Sequence, residues 1–200
     1  MFMLLQVAGA GAGIGLGVCC GFIAFVLFAY AIFYIFSLYN GLIELNNNMD
    51  KAWANIDVLL KKRSDLIPNL VETVKGYMKH EKEVLTKITQ LRSELGKETK
   101  TSDKARTSGE ISETLKTIFA VAENYPQLKA NENFLHLQKE ISLIEEQIAD
   151  RREFFNNSVV LFNTRIQVIP DSIFAGILGY KKKDYFKVEE SERENVKVSI

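Results

Sequence analysis

IGLGVCCGFIAFVLFAYAIFYIFSL, the run from Ile14 to Leu38, holds 25 residues and no charge. At 1.5 Å per residue a helix of this length covers about 37 Å, against about 30 Å of hydrocarbon in a bilayer. Fourteen of its residues are Leu, Ile, Val or Phe. At roughly −0.3 to −0.6 kcal/mol each, insertion gains about 4 to 8 kcal/mol before any glycine penalty. The run is therefore predicted to be a transmembrane helix. Tyr30, Tyr34 and Tyr39 lie toward its C-terminal end, where a phenol can hydrogen-bond at headgroup level while its ring stays in an apolar layer. A cleaved signal peptide would need a basic start and a shorter apolar core, and no Lys or Arg precedes the run. A lipoprotein processed at Cys19 would need a small residue where Val18 stands. The segment reads as an uncleaved anchor.

On the N-terminal side, residues 1–13 are glycine-rich, and Gly9, Gly13, Gly17 and Gly21 fall at spacing four. In a helix they form one ridge, along which two backbones can approach closely and gain dispersion contacts. One reading is self-association through this ridge. The other is that membrane helices commonly carry glycine.

On the C-terminal side, every charge of the chain lies from Glu44 onward, 25 Lys+Arg against 25 Asp+Glu in 200 residues. A balanced charge excludes the basic surface that a nucleic-acid binder needs to replace counterions. Lys51, Lys61, Lys62 and Arg63 follow the span and nothing basic precedes it, so the positive-inside rule favours a cytoplasmic C-terminal domain. Cys19 and Cys20 are the only cysteines, both within the span, which leaves the polar part with neither a disulfide nor a thiol nucleophile.

From Leu42 the apolar residues recur at steps of three and four: Leu45, Met49, Ala52, Ile56 and Leu59, then past Pro68 through Leu70, Val74 and Tyr77 to Ile88, Leu91 and Leu95. The unchanged phase favours one long helix kinked at Pro68, with a break into two helices as the alternative. Gly96 to Gly109 has no apolar period and reads as a mobile connection. Ile111, Leu115, Ile118 and Ala122 mark a shorter helix ending near Tyr125-Pro126. Phe134 to Ile169 repeats the rhythm over five heptads after an N-cap at Asn131. Arg152 falls within that stripe, where Glu81 could meet it. Stripes this narrow must pack on one another. The expected fold is all-α, an N-terminal transmembrane helix followed by an elongated antiparallel bundle over residues 39–169, with three long helices or four. The tail, 170–200, mixes aromatic and apolar residues with Lys181, Lys182 and Lys183. It reads either as a lid on the bundle or as an interfacial segment whose lysines touch lipid.

Several motifs resemble the signature of the LemA family. They are Tyr39-Asn40, Ala52-Trp53, Ile56-Asp57-Val58, KRSDLIPNLVETVKGY from Lys62 to Tyr77, AENYPQLKANENF from Ala122 to Phe134, Arg151-Arg152, Phe154-Phe155-Asn156 and Phe162-Asn163. The resemblance covers nearly everything from Tyr39 onward. It implies a membrane helix followed by an antiparallel helical bundle, in a widespread prokaryotic family of which one branch is linked to shaping magnetosome membranes. It implies no catalytic residue and no cofactor.

The residues themselves offer little chemistry. His80 and His136 are the only histidines, and the Glu-x-x-His order of di-iron bundles is absent, since Tyr77 and Asn133 stand three places before them. Glu132, His136 and Glu140 share a helical face, as metal ligands or as a solvated charged surface. Trp53 beside the stripe reads as a packing residue. The expectation is a non-enzymatic, single-pass membrane scaffold without cofactors. Its partners would be the bilayer, further copies of itself and other membrane proteins, with membrane remodelling as one outcome. The alternative is a membrane-bound sensor that reads anionic lipid or a partner protein.

Overall fold

The computed structural model describes residues 2–78 and 80–186, and side chains from Gly21 onward. Six helices follow one another: α1 (Phe2–Lys75), α2 (Lys82–Leu95), α3 (Thr101–Ala122), α4 (Pro126–Lys129), α5 (Glu132–Arg165) and α6 (Asp171–Ile177). There is no strand among the described residues. The all-α class expected from the apolar periods is the class observed.

The chain forms two compact units. One consists of Leu45–Thr164 with the segment from Lys181, and the other of residues up to Glu44 with Arg165–Tyr180.

In the first unit α1 buries Met49, Ala52, Ile56, Leu60, Ile67, Leu70 and Val74 along one face. Cross-helix contacts set the directions. Asp57 pairs with Lys104 and Arg63 with Ser108, so α3 runs parallel to α1. Trp53 meets Phe155 and Arg63 meets Glu145, so α5 runs antiparallel to both. Ser64 meets Arg92 of α2, and Lys75 shares a cleft with Lys82, so α2 is antiparallel to α1.

Two expectations about element boundaries are corrected. The helix does not break at Pro68, which sits inside α1, nor does it continue to Leu95. Proline has no N–H, so the Ser64 carbonyl four residues earlier loses its helical donor. Arg92 Nε supplies one at 2.9 Å. Helix α1 instead ends at Lys75 and α2 begins at Lys82, with Met78 buried between them. The phase that argued for one long helix is in fact broken there. Leu85 is buried and Val84 is not, while Glu81 precedes α2 and accepts from Tyr125 Oη at 3.4 Å. Four long helices, α1, α2, α3 and α5, and the short α4 therefore lie in this unit among the described residues.

The second correction concerns the connection. Only residues 96–100 separate α2 from α3, and Ala105, Thr107 and Ser108 are buried in helix α3. A count of apolar side chains misses such residues. Their hydroxyls are bonded, Thr107 to Glu98 at 2.6 Å and Ser108 to Arg63 at 2.9 Å, and that makes burial tolerable.

The expected cap at Asn131 is present. Its Oδ1 accepts from the Phe134 N–H at 3.0 Å, the N-cap to N3 bond that satisfies one free donor of α5.

In the second unit every side chain from Phe22 to Phe36 is exposed. This helix is long and apolar enough to cross a membrane. Burial begins at Leu38 and Leu42 on α1 and recurs at Ile166, Asp171 and Ala175. Helix α6 ends in a Schellman motif: Tyr180 N–H donates to Ala175 O at 2.9 Å and Gly179 N–H to Gly176 O at 3.2 Å. The motif requires a left-handed residue, and Gly179 supplies it at φ 70°.

Candidate functional site

The side chains singled out by the sequence are only partly within view. Gly9, Gly13 and Gly17 lie outside the residues whose side chains are described. A Cβ built on Gly21 would meet nothing within 4 Å, so this end of the ridge faces open space in the single chain. Lys181, Lys182 and Lys183 are all exposed, on an extended segment that runs to Phe186.

That segment is held to α5 by two asparagines. Asn163 donates from Nδ2 to Lys183 O at 2.9 Å and accepts from Lys183 N–H at 2.8 Å. Asn156 does the same with Phe186, at 3.1 and 2.8 Å. Each amide side chain thus offers the donor and acceptor that a neighbouring β-strand would offer. The spacing works because seven residues of helix rise about 10.5 Å, and three extended residues cover about 10 Å. The segment runs antiparallel to α5 and ends with Phe186 buried at 2% exposure. Its ring lies 6.0 Å from Trp53, and the Arg152 guanidinium lies over it at 5.9 Å. Trp53 is thus the packing residue expected. Arg152 lies over an aromatic face, and Glu81 accepts from Tyr125 Oη.

A second cluster lies within the bundle. Arg63 is fully buried on α1, between Leu59 and Ile67 of the same stripe. Its Nη1 donates to Glu145 Oε1 and to Ser112 Oγ at 2.9 Å, and its Nη2 to Ser108 O at 3.2 Å and Ser108 Oγ at 2.9 Å. Ser112 in turn donates to Glu145 Oε2 at 2.7 Å. Four of the five guanidinium donors are engaged, and Nε is buried without a partner. Burial lowers the Arg63 pKa from its ordinary value, and the charge and hydrogen bond of Glu145 oppose the shift. The cluster ties α1, α3 and α5 together through one cation.

Sequence reading counted Arg63 only among the cations that follow the span, and the structure buries it in the bundle. A signal was available, because Arg63 stands four residues from both Leu59 and Ile67 in the buried stripe. The clamp also left a trace. Phe155-Asn156 and Phe162-Asn163 repeat at a heptad interval, with each Phe buried and the following Asn turned to the tail.

Other chemistry is sparse. His136 and Glu140 form an exposed pair at 3.8 Å, and no group of three candidate metal ligands occurs among the described residues. A cleft of about 920 Å³ beside α1 and α2 is lined by Val71, Met78, Leu85 and Thr89, with Lys75 and Lys82. Its lining contains no carboxylate or histidine among the described residues.

Comparison with known proteins places this arrangement. The model of the LemA family matches residues 52–200. The chain is 28% identical over 181 residues to Protein LemA of Metamycoplasma hominis, covering 89% of this chain and 83% of that protein. It is 22% identical over 175 residues to Magnetosome protein MamQ 2 of Paramagnetospirillum magneticum. It is likewise 22% identical over 174 residues to Magnetosome protein MamQ of Magnetospirillum gryphiswaldense. Each MamQ alignment covers 74% of this chain and 64% of the relative.

Proposed function

The chain belongs to the LemA family, and we propose that within it the protein is a non-enzymatic membrane scaffold. A single span anchors a helical bundle that assembles with further copies and recruits other membrane proteins. The observation that carries this reading is the unbroken exposure of apolar side chains from Phe22 to Phe36, which only lipid or another membrane helix can cover favourably. The resources of the bundle support it too. Its buried polar groups are spent on holding helices and tail together, and its two histidines are exposed or outside any cluster of ligands. The MamQ relatives are magnetosome proteins by name, and membrane remodelling is the corresponding role for this chain. The lysines after the span put the bundle on the cytoplasmic side.

Self-assembly is assigned to the ridge of Gly9, Gly13, Gly17 and Gly21. The test is crosslinking in native membranes, with the products identified by mass, on the wild type and on the double variant Gly13→Leu, Gly17→Leu. Homo-oligomers that disappear in the variant support the scaffold. A strictly monomeric protein in membranes and detergent, unchanged by the two substitutions, overturns the self-assembly.

The exposure of all three lysines at 181–183 favours a second reading, a sensor of anionic lipid. Amine labelling of the full chain in neutral and in anionic vesicles separates the two. Protection of these lysines only in anionic vesicles supports the sensor, and equal labelling removes it.

A further inference from the structure

Helix α6 is amphipathic the wrong way round for a protein that meets only water. Its inward face carries Asp171 and Ala175, at 4% and 2% exposure. Its outward face carries Ile173 and Ile177, at 59% and 77%, and Ile169, in the turn before the helix, is exposed at 83%. A helix on a water-covered surface buries its branched apolar side chains and exposes its carboxylates. Here the carboxylate is the buried one, bonded to Arg165 Nε at 2.7 Å, and the isoleucines are the exposed ones, a row that is uncovered among the described residues. Rows of this kind mark surfaces that are covered in use.

The position of the row says what covers it. Residues 165–180 belong to the same compact unit as the membrane-crossing part of α1. Among the described residues of α1 in that unit, Leu38 and Leu42 are the buried ones, at the C-terminal limit of the apolar run, where a spanning helix leaves the hydrocarbon. Their burial in one compact unit with Ile166, Asp171 and Ala175 points to α6 lying at the level of the headgroups. Lys181 to Lys183 follow Tyr180 directly in the sequence, and basic residues next to an apolar segment are a mark of interfacial segments. We propose that Ile169, Ile173 and Ile177 enter the bilayer interface beside the span, so that the protein holds the membrane at two places, one crossing it and one lying in its surface. A second contact fixes the rotation of the span about its axis, which a lone helix in lipid leaves free. This inference rests on the membrane anchoring of the proposed function and adds a site to it.

The test uses the full chain with Cys19→Ser and Cys20→Ser, reconstituted into phosphatidylcholine vesicles with and without phosphatidylglycerol. Ile169→Cys, Ile173→Cys, Ile177→Cys and a reference, Phe28→Cys, are made one at a time, and each new thiol carries an environment-sensitive fluorophore. These four side chains are exposed, so the substitutions leave the packing intact. The expected result is blue-shifted emission at all four positions. Lipids brominated near the headgroup should quench positions 169, 173 and 177 most, and lipids brominated deep in the chain should quench position 28 most. Water-like emission at positions 169, 173 and 177 beside a lipid-quenched position 28 overturns the inference and leaves the anchor standing. A blue shift that no brominated lipid quenches means that protein covers the row, and overturns it equally. A probe at position 28 that reports water removes the anchor and the inference together.

Discussion

Arg63 shows how one side chain can organise a bundle and at the same time burden it. A guanidinium at 0% exposure has lost its hydration, and four hydrogen bonds to α3 and α5 return most of that loss. Removing the cation alone leaves Glu145 and the Ser108 hydroxyl facing each other in a space made for it. Arg63→Met should therefore destabilise the protein by about 3 kcal/mol, at the low end for a broken buried pair because the Glu145 side chain keeps 29% exposure. Replacing both partners, Arg63→Met with Glu145→Leu, should recover most of the loss, since the unpaired charge is then gone. Urea unfolding of the detergent-solubilised chain, followed by far-ultraviolet circular dichroism, measures both. If the double variant is no more stable than the single one, the cost lies in packing and not in the stranded carboxylate.

At the scale of elements, Pro68 and Arg92 form a pair that neither sequence neighbourhood explains. The proline removes a donor from α1, and the side chain of α2 replaces it at the Ser64 carbonyl. Arg92→Ala should cost about 1 kcal/mol by leaving that carbonyl without its partner. In a Pro68→Ala background, where the residue at 68 donates again, the same substitution should cost clearly less. A double-mutant cycle on urea midpoints reads the difference, and simple additivity would show that Arg92 acts elsewhere. The tail clamp is a second element of this kind. Each asparagine pairs twice with the backbone, and each bond is worth about 0.5–1.5 kcal/mol net. Asn156→Ala with Asn163→Ala should free the segment. The Lys183 and Phe186 amides should then exchange hydrogen rapidly, trypsin should cut after Lys181 to Lys183, and Trp53 emission should shift to the red as Phe186 leaves. Unchanged exchange at both amides would mean that the aromatic contact alone holds the tail.

For the whole molecule, the proposed anchor is the apolar helix whose side chains are exposed from Phe22 to Phe36. Full-length protein should sediment with membranes after cell breakage, stay there in alkaline carbonate and come free only in detergent. Quantitative immunoblotting of the fractions checks this. Intact protein in the detergent-free supernatant would contradict the anchor. Loss of the lysines at 181–183 should leave sedimentation unchanged, because transfer of the span outweighs a surface attraction of about 1 kcal/mol per cation.

What the sequence by itself determined are the features set by neighbours three or four places apart. These are the apolar span, the all-helical class, the cap at Asn131, the stop before Pro126 and the stripes on α1 and α5. A helix brings such neighbours together whatever the rest of the chain does. Only the tertiary structure decided which polar residues go inside. Arg63 finds Ser108 and Glu145 at separations of 45 and 82 residues, and the small polar start of α3 is buried against these partners. The clamp and the outward row on α6 belong with them. Whether a buried carboxylate, amide or guanidinium is tolerable depends on a partner that no local window contains, and what must cover an exposed isoleucine depends on where the fold sets it.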